Sequence, residues 1–243
     1  MMNKLIFTGI LLCASTSSFS SEVSWDYSGS GGPDRWAKLA PEYTKCSGGD
    51  QSPIDLTNLI SAKLVPLEFS YEASGEDVTN NGHTIEVMYR HGSTILVDGI
   101  EFELKQFHFH SPSENHIHGI SYPLELHLVH ADKDGNLVVV AVMFKEGDAN
   151  PALDPIWNAM PASVGDIIRF KQPISAEELL PQNHDYYRFN GSLTTPPCTE
   201  GVRWIVMKEV ISISAEQIQA FERIMHHSNN RPIQPANGRP VLE

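Results

Sequence analysis

Basic residues, cysteines and long apolar runs are all scarce in this chain, and each shortage removes a class of function. Only 17 lysines and arginines face 30 aspartates and glutamates, a net charge of −13, so neither nucleic acid nor an anionic membrane surface suits it as a partner. The one extended apolar stretch, Leu5 to Ala14, is too short to span a bilayer. With Lys4 before it and Ser18 and Ser20 after it, the stretch reads as the core of a signal peptide at residues 1–20, removed on export. No membrane anchor is expected. Repeats, low-complexity tracts and a Pro/Gly linker are also missing, which leaves 21–243 as a single domain with enough residues for a substantial core.

Of the three cysteines, Cys13 falls in the removed segment. Export places Cys46 and Cys198 in an oxidising compartment, the periplasm or the exterior, where the expectation is that they pair. In the chain-entropy account, closing so long a loop stabilises by about 4–5 kcal/mol.

Strand signals dominate the middle of the chain. Asp98-Gly99 separates TILV from IEFELKQFHFH, and Asp134-Gly135 separates LELHLVHADK from NLVVVAVMFKEG; Asp-Gly between apolar runs is a hairpin signal. Strands are expected near 93–97, 100–110, 123–131 and 136–145. Helical signals are few and late: SAEE at 175–178 and SAEQ at 214–217 each fit a capping box, and Ile218, Phe221, Ile224 and Met225 follow the second at helical spacing. The fold class is α+β, predominantly β: one large central, mostly antiparallel twisted sheet with short peripheral helices.

What the chain has in quantity is histidine, concentrated in QFHFHSPSENHIHGISYPLELHLVH at 106–130. Side chains of a strand alternate between its faces. Gln106, His108 and His110 therefore share one face, while Phe107 and Phe109 point to the core. In the next strand Glu125, His127 and Val129 share a face, opposed by Leu124, Leu126, Leu128 and His130. A neighbouring antiparallel strand can thus present His127 beside His108 and His110. Three neutral imidazoles with a fourth position open to water make a catalytic zinc site rather than a closed structural one. Gln106 is placed to accept from the outer ring nitrogen of His108, and Glu125 from that of His127. His116 and His118 repeat the spacing but are bracketed by Pro112, Gly119 and Pro123, which makes them loop residues. His130 faces the leucines, as a hydrogen-bonded core histidine.

These residues, with NNGH at 80–83, QSPIDL at 51–56, GSLTTPPC at 191–198 and GVRWIV at 201–206, resemble the α-class carbonic anhydrases of the secreted bacterial type. The resemblance runs from WDYSG at 25–29 through NNRPIQP at 229–235. It implies reversible hydration of carbon dioxide to hydrogencarbonate and a proton, with one Zn2+ per chain on His108, His110 and His127. It implies that Thr194 accepts a hydrogen bond from the zinc-bound hydroxide and donates one to Glu114, aiming the nucleophile at the substrate carbon. Val129, Val139, Leu193 and Trp204 are implied as an apolar substrate wall, with Thr195 beside it. His83 is implied as the proton shuttle, and Tyr27, Asn81 and Glu86 match positions lining its water path. Where this chain has Glu86 the family often carries an amide, and a carboxylate there is expected to influence His83 or the water path. A Cys46–Cys198 bridge would stiffen the Thr194 loop, and the family pattern implies a cis bond before Pro197. Sulfonamides and anions are implied as inhibitors at zinc, and a homodimer as an assembly found among relatives.

Two other readings compete. His-x-His-x3-Glu, here His108, His110 and Glu114, also begins the metal site of cupin dioxygenases, but those want a later P-x-G-x2-H-x3-N element that the chain lacks. A non-catalytic metal-binding protein on the same scaffold would be marked by loss of a ligand histidine, and all three are present.

Overall fold

The computed structural model describes residues 23–243; the expected signal peptide, with Cys13, lies outside the described residues. The core of the fold is a 13-stranded sheet. Eight of its strands are labelled here: β1 (Gly75–Asn80), β2 (Ile85–Tyr89), β3 (Ile100–His110), β4 (Leu124–Ala131), β5 (Leu137–Glu146), β6 (Ile167–Ile174), β7 (Tyr186–Ser192) and β8 (Glu200–Met207). They lie in the order β6-β1-β2-β3-β4-β5-β8-β7. All these pairs are antiparallel except β5 with β8, so the sheet is mixed but mostly antiparallel, as expected.

The four expected strands form at Thr94–Val97, β3, β4 and β5. At the first hairpin Asp98 and Gly99 both adopt positive φ (53° and 75°), the tight turn that suits a twisted two-stranded ribbon. The second hairpin is wider than its Asp-Gly pair suggests. Its loop runs from Asp132 to Asn136, and the Asp132 carboxylate accepts from Asp134 N, Asn136 N and Asn136 Nδ2.

Strand β3 departs from strict alternation, and the departure creates the site. Phe102 and Leu104 are buried in the same hydrophobic core as Phe107 and Phe109, although simple parity would place the two pairs on opposite faces. A bulge between Leu104 and Gln106, opposite His130 and Val129 of β4, absorbs the extra residue. Phenylalanines therefore line one face along the whole strand, while Gln106, His108 and His110 occupy the other.

Helices are peripheral. The principal one, α1, spans Ala215–Met225 and starts with the expected capping box: Ser214 Oγ accepts from Gln217 N, and the Gln217 side chain accepts from Ser214 N. The other expected capping box does not form. Ser175 precedes only a short 3-10 turn, Ala176–Leu179, and its side chain makes no cap bond, while the Ala176 amide donates to the Tyr89 hydroxyl at 2.6 Å. His116 lies in a two-residue strand against Asp55–Leu56 rather than in a loop, and His118 follows it at positive φ. His130 is a fully buried core residue whose Nε2 lies 2.5 Å from the Tyr71 hydroxyl, as the leucine face requires.

The two serines separate a cap from its lookalike. Ser214→Ala should lower unfolding free energy by about 1 kcal/mol, whereas Ser175→Ala should change it by less than about 0.5 kcal/mol, both read from urea unfolding; equal losses would contradict the assignment.

Candidate metal centre

The antiparallel register between β3 and β4 sets His108 directly opposite His127, and His110 opposite Glu125. The three imidazoles converge: one ligand nitrogen from each lies within 4.8 Å of the others, and the trio is the one such group among the described residues. Each ring is oriented by a hydrogen bond from its outer nitrogen. His108 Nδ1 donates to Gln106 Oε1 at 2.8 Å, His110 Nδ1 to the Asn229 carbonyl at 2.6 Å, and His127 Nε2 to Glu125 Oε1 at 2.8 Å. The inner nitrogens are then Nε2, Nε2 and Nδ1, unprotonated and aimed at a common point.

Burial pushes all three imidazoles below the usual histidine range, His108 and His127 strongly, and mutual repulsion of the rings adds to it for those two. The neutral form is the one that ligates a metal. His110 supplies the test of fit: its Nε2 is fully buried without a hydrogen-bond partner in the protein, a costly state that a cation at the point of convergence relieves. Three neutral imidazoles as donors suit zinc.

Glu125 is itself fully buried and carries more than His127. Its carboxylate also accepts from Glu114 N at 2.7 Å, Asn115 N at 2.8 Å and Asn115 Nδ2 at 2.7 Å. It thereby fixes both a ligand ring and the backbone of Glu114. The Glu114 side chain lies beside the trio, with Oε2 3.5 Å from His110 Nε2 and 3.9 Å from His127 Nδ1, while Oε1 accepts from Arg231 N at 2.8 Å. Burial pushes the Glu114 carboxyl up to about 8, with the Arg231 amide and the neighbouring Thr194 hydroxyl pulling it back down.

The Thr194 loop is held from several sides. Cys46 and Cys198 are bonded, and the Pro196-Pro197 bond is cis; cis bonds also precede Pro53 and Pro112, which the sequence reading did not anticipate. Gly191 permits this packing, because a Cβ there would collide with Ser52 Oγ. Ser192 Oγ accepts from Ser52 N at 2.9 Å, and Leu193 N bonds Thr199 O at 2.9 Å. Thr194 is buried and Thr195 half-buried. Val139 and Trp204 belong to one buried cluster, with half-buried Val129 and Leu193 packed against it. Val129 and Val139 are direct cross-strand partners, and Trp204 meets the His127 ring edge-on at 4.9 Å. The expected apolar wall is therefore contiguous and reaches a ligand.

On the outer side, His83 follows the turn that Asn81 caps, Asn81 Oδ1 accepting from His83 N and Thr84 N. Tyr27 stands edge-on to His83 at 6.4 Å between ring centroids. Glu86 pairs across strands with His108, and burial raises its carboxyl pKa.

Three further residues support the site without a mark in the sequence. Trp25 stacks face-on against His83 at 3.7 Å and 8°. Asn229 orients His110, and Arg231 holds Glu114 through its amide. The buried Arg231 guanidinium also donates to Gln51 Oε1, Ser52 O and Cys46 O. Both lie in the C-terminal stretch NNRP, which has no period to mark it.

Comparison with known proteins agrees with this geometry. Residues 31–243 match the family model described as eukaryotic-type carbonic anhydrase. A carbonic anhydrase of Pectobacterium atrosepticum is 45% identical over 243 residues, covering 100% of both chains. One from Neisseria gonorrhoeae is 45% identical over 242 residues, covering 97% of this chain and 96% of its own. Among solved structures, the α-carbonic anhydrase of Thermovibrio ammonificans in complex with the inhibitor sulfanilamide superposes with a TM-score of 0.90 at 48% identity, over 92% of this chain and 100% of the other.

The role of Glu125 has a direct test. Glu125→Gln keeps the shape but puts an amide where four donors converge, so zinc affinity should fall about 10- to 100-fold in competition with a chromogenic chelator. Unchanged affinity would contradict it.

Proposed function

The chain belongs to the eukaryotic-type carbonic anhydrase family, and from that premise we propose how its own residues carry the reversible hydration of carbon dioxide to hydrogencarbonate and a proton. The observation that carries the reading is the convergence of His108, His110 and His127, with Glu114 and Thr194 beside it. Zinc held there would act as a Lewis acid that brings the pKa of a water to about 7, carbonic anhydrases being the standard case of that effect.

The protein's part is orientation, confinement and proton removal. Glu114 takes the Thr194 hydroxyl hydrogen, so that the Thr194 oxygen can accept only from the attacking water and leaves its lone pair facing the substrate. The carboxylate form of Glu114 that this needs is favoured by the Arg231 amide and by positive charge at the centre. Val129, Val139, Leu193 and Trp204 offer an uncharged linear molecule an apolar wall, with Thr195 as its polar neighbour. His83 takes the released proton outward through water held by Tyr27, Asn81 and Glu86. An imidazole is suited to that exchange near neutral pH, and Trp25 fixes the plane of the ring.

Sulfonamides and anions are the expected inhibitors, binding at the point where the three nitrogens meet. The Cys46–Cys198 bond supports an oxidising, extracytoplasmic setting; the periplasm is the compartment we assign, on the bacterial relatives and the expected export signal. For a homodimer the support is an exposed apolar strip, Val164, Ile167 and Ile168, on and beside the edge strand β6.

Stopped-flow hydration of carbon dioxide tests the reading. The zinc-loaded protein should be active and silenced by a sulfonamide. His83→Ala should lower turnover about tenfold or more in dilute buffer, with partial recovery on adding imidazole. A zinc-loaded protein without hydration activity would leave only a metal-binding role.

A further inference from the structure

Tyr27 has two imidazoles within ring-contact range, those of His83 and His227. The His83 ring lies 6.4 Å from it and the His227 ring 6.3 Å, between centroids. His227 comes from the far end of the sequence. Helix α1 ends at His226, which adopts the left-handed conformation (φ 62°) while its amide bonds Glu222 O, and this turn brings His227 to the surface beside Tyr27.

The segment that carries His227 is anchored at Asn229. Two residues beyond His227, Asn229 Nδ2 donates to the carbonyls of His83 and Phe109, both at 2.9 Å, and Asn229 O accepts from the ligand His110. One short segment is thus tied to the shuttle residue, to β3 and to the metal centre. His227 is exposed, and its Nδ1 lies 3.1 Å from Ser228 O; with Nδ1–H donating there, Nε2 is left to accept a proton from water. Tyr27 is kept a neutral phenol by burial and by the charges of Glu114 and Asp26, so its hydroxyl can order water between the two rings without ionising.

We propose that His227 is a second proton-exchange residue, serving the cavity alongside His83 across Tyr27. Its Nε2 takes a proton from the water chain, and the resulting imidazolium gives that proton to a dissolved buffer base, returning the ring to its neutral form. The proposal rests on the hydration reaction above. Asp26 accepts from the Tyr27 amide, and the Glu222 side chain, in the last turn of α1, accepts from Ser111 Oγ.

The test compares wild type, His83→Ala, His227→Ala and the double variant, all zinc-loaded, in dilute non-imidazole buffer. His227→Ala alone should lower kcat about twofold with kcat/KM held. In the His83→Ala background it should lower kcat a further fivefold or so, reversed by added imidazole. A second readout needs no zinc: in ring C–H NMR titrations of the metal-free protein, His227→Gln should raise the His83 midpoint by a few tenths of a pH unit, because a neighbouring positive charge has been removed. A double variant no slower than His83→Ala, or an unmoved His83 midpoint, overturns the proposal. Failure of wild type to hydrate carbon dioxide would instead sink the reading it rests on, so the two failures are distinct.

Discussion

A carboxylate sealed from water must have every lone pair answered by a donor, and meeting that requirement for Glu125 organises the centre. Its four donors come from His127, from the Asn115 side chain and from two successive amides, those of Glu114 and Asn115. The polypeptide between β3 and β4 therefore has little choice of path, and that path delivers Glu114 to the inner nitrogens of His110 and His127. One anion sets a ring and a loop at once. A neutral residue of similar size could fill the space but could not hold both.

The sheet contributes through register. Because β3 and β4 run antiparallel with His108 opposite His127, the ligands face one another by backbone geometry alone. The bulge in β3 matters as much: without the extra residue, Phe102 and Leu104 before it and Phe107 and Phe109 after it could not share a core. The same strand that seals the hydrophobic interior thus presents Gln106, His108 and His110 on its other side. Trp204, Val129 and Val139 from adjacent strands extend that side into an apolar surface, so the ligand histidines and an apolar cluster are continuous parts of one twisted face.

Much of this was legible in the residues. Alternation alone separated His108, His110 and His127 from His130, and proximity within a strand identified Gln106 and Glu125 as their supports. Those inferences succeed because the strand period is 2 and admits little variation. What escaped is equally instructive. The bulge at Lys105 leaves no sign in hydrophobicity, since it adds a residue without changing the type of pattern. SAEE at 175–178 has the letters of a capping box, but the residues after it close only a short 3-10 turn and Ser175 makes no cap bond. Asn229 serves His110 with a backbone carbonyl and Arg231 serves Glu114 with a backbone amide; groups common to every residue cannot be singled out by composition. Trp25 reads as any aromatic near a chain start until the fold places it on His83.

The tie between His110 and Asn229 joins residues 119 apart in the chain, and the tie between Glu114 and Arg231 spans 117. A polypeptide emerging from its N-terminus would carry all three ligand histidines well before it carried either of these partners. Until the last few dozen residues arrive, the His110 ring has no carbonyl to settle its tautomer and Glu114 has no amide to hold its carboxylate. Ligand identity is thus complete early in the sequence and ligand geometry late: the bonds that orient the His110 ring and hold the Glu114 carboxylate exist only once the segment with Asn229 and Arg231 is docked.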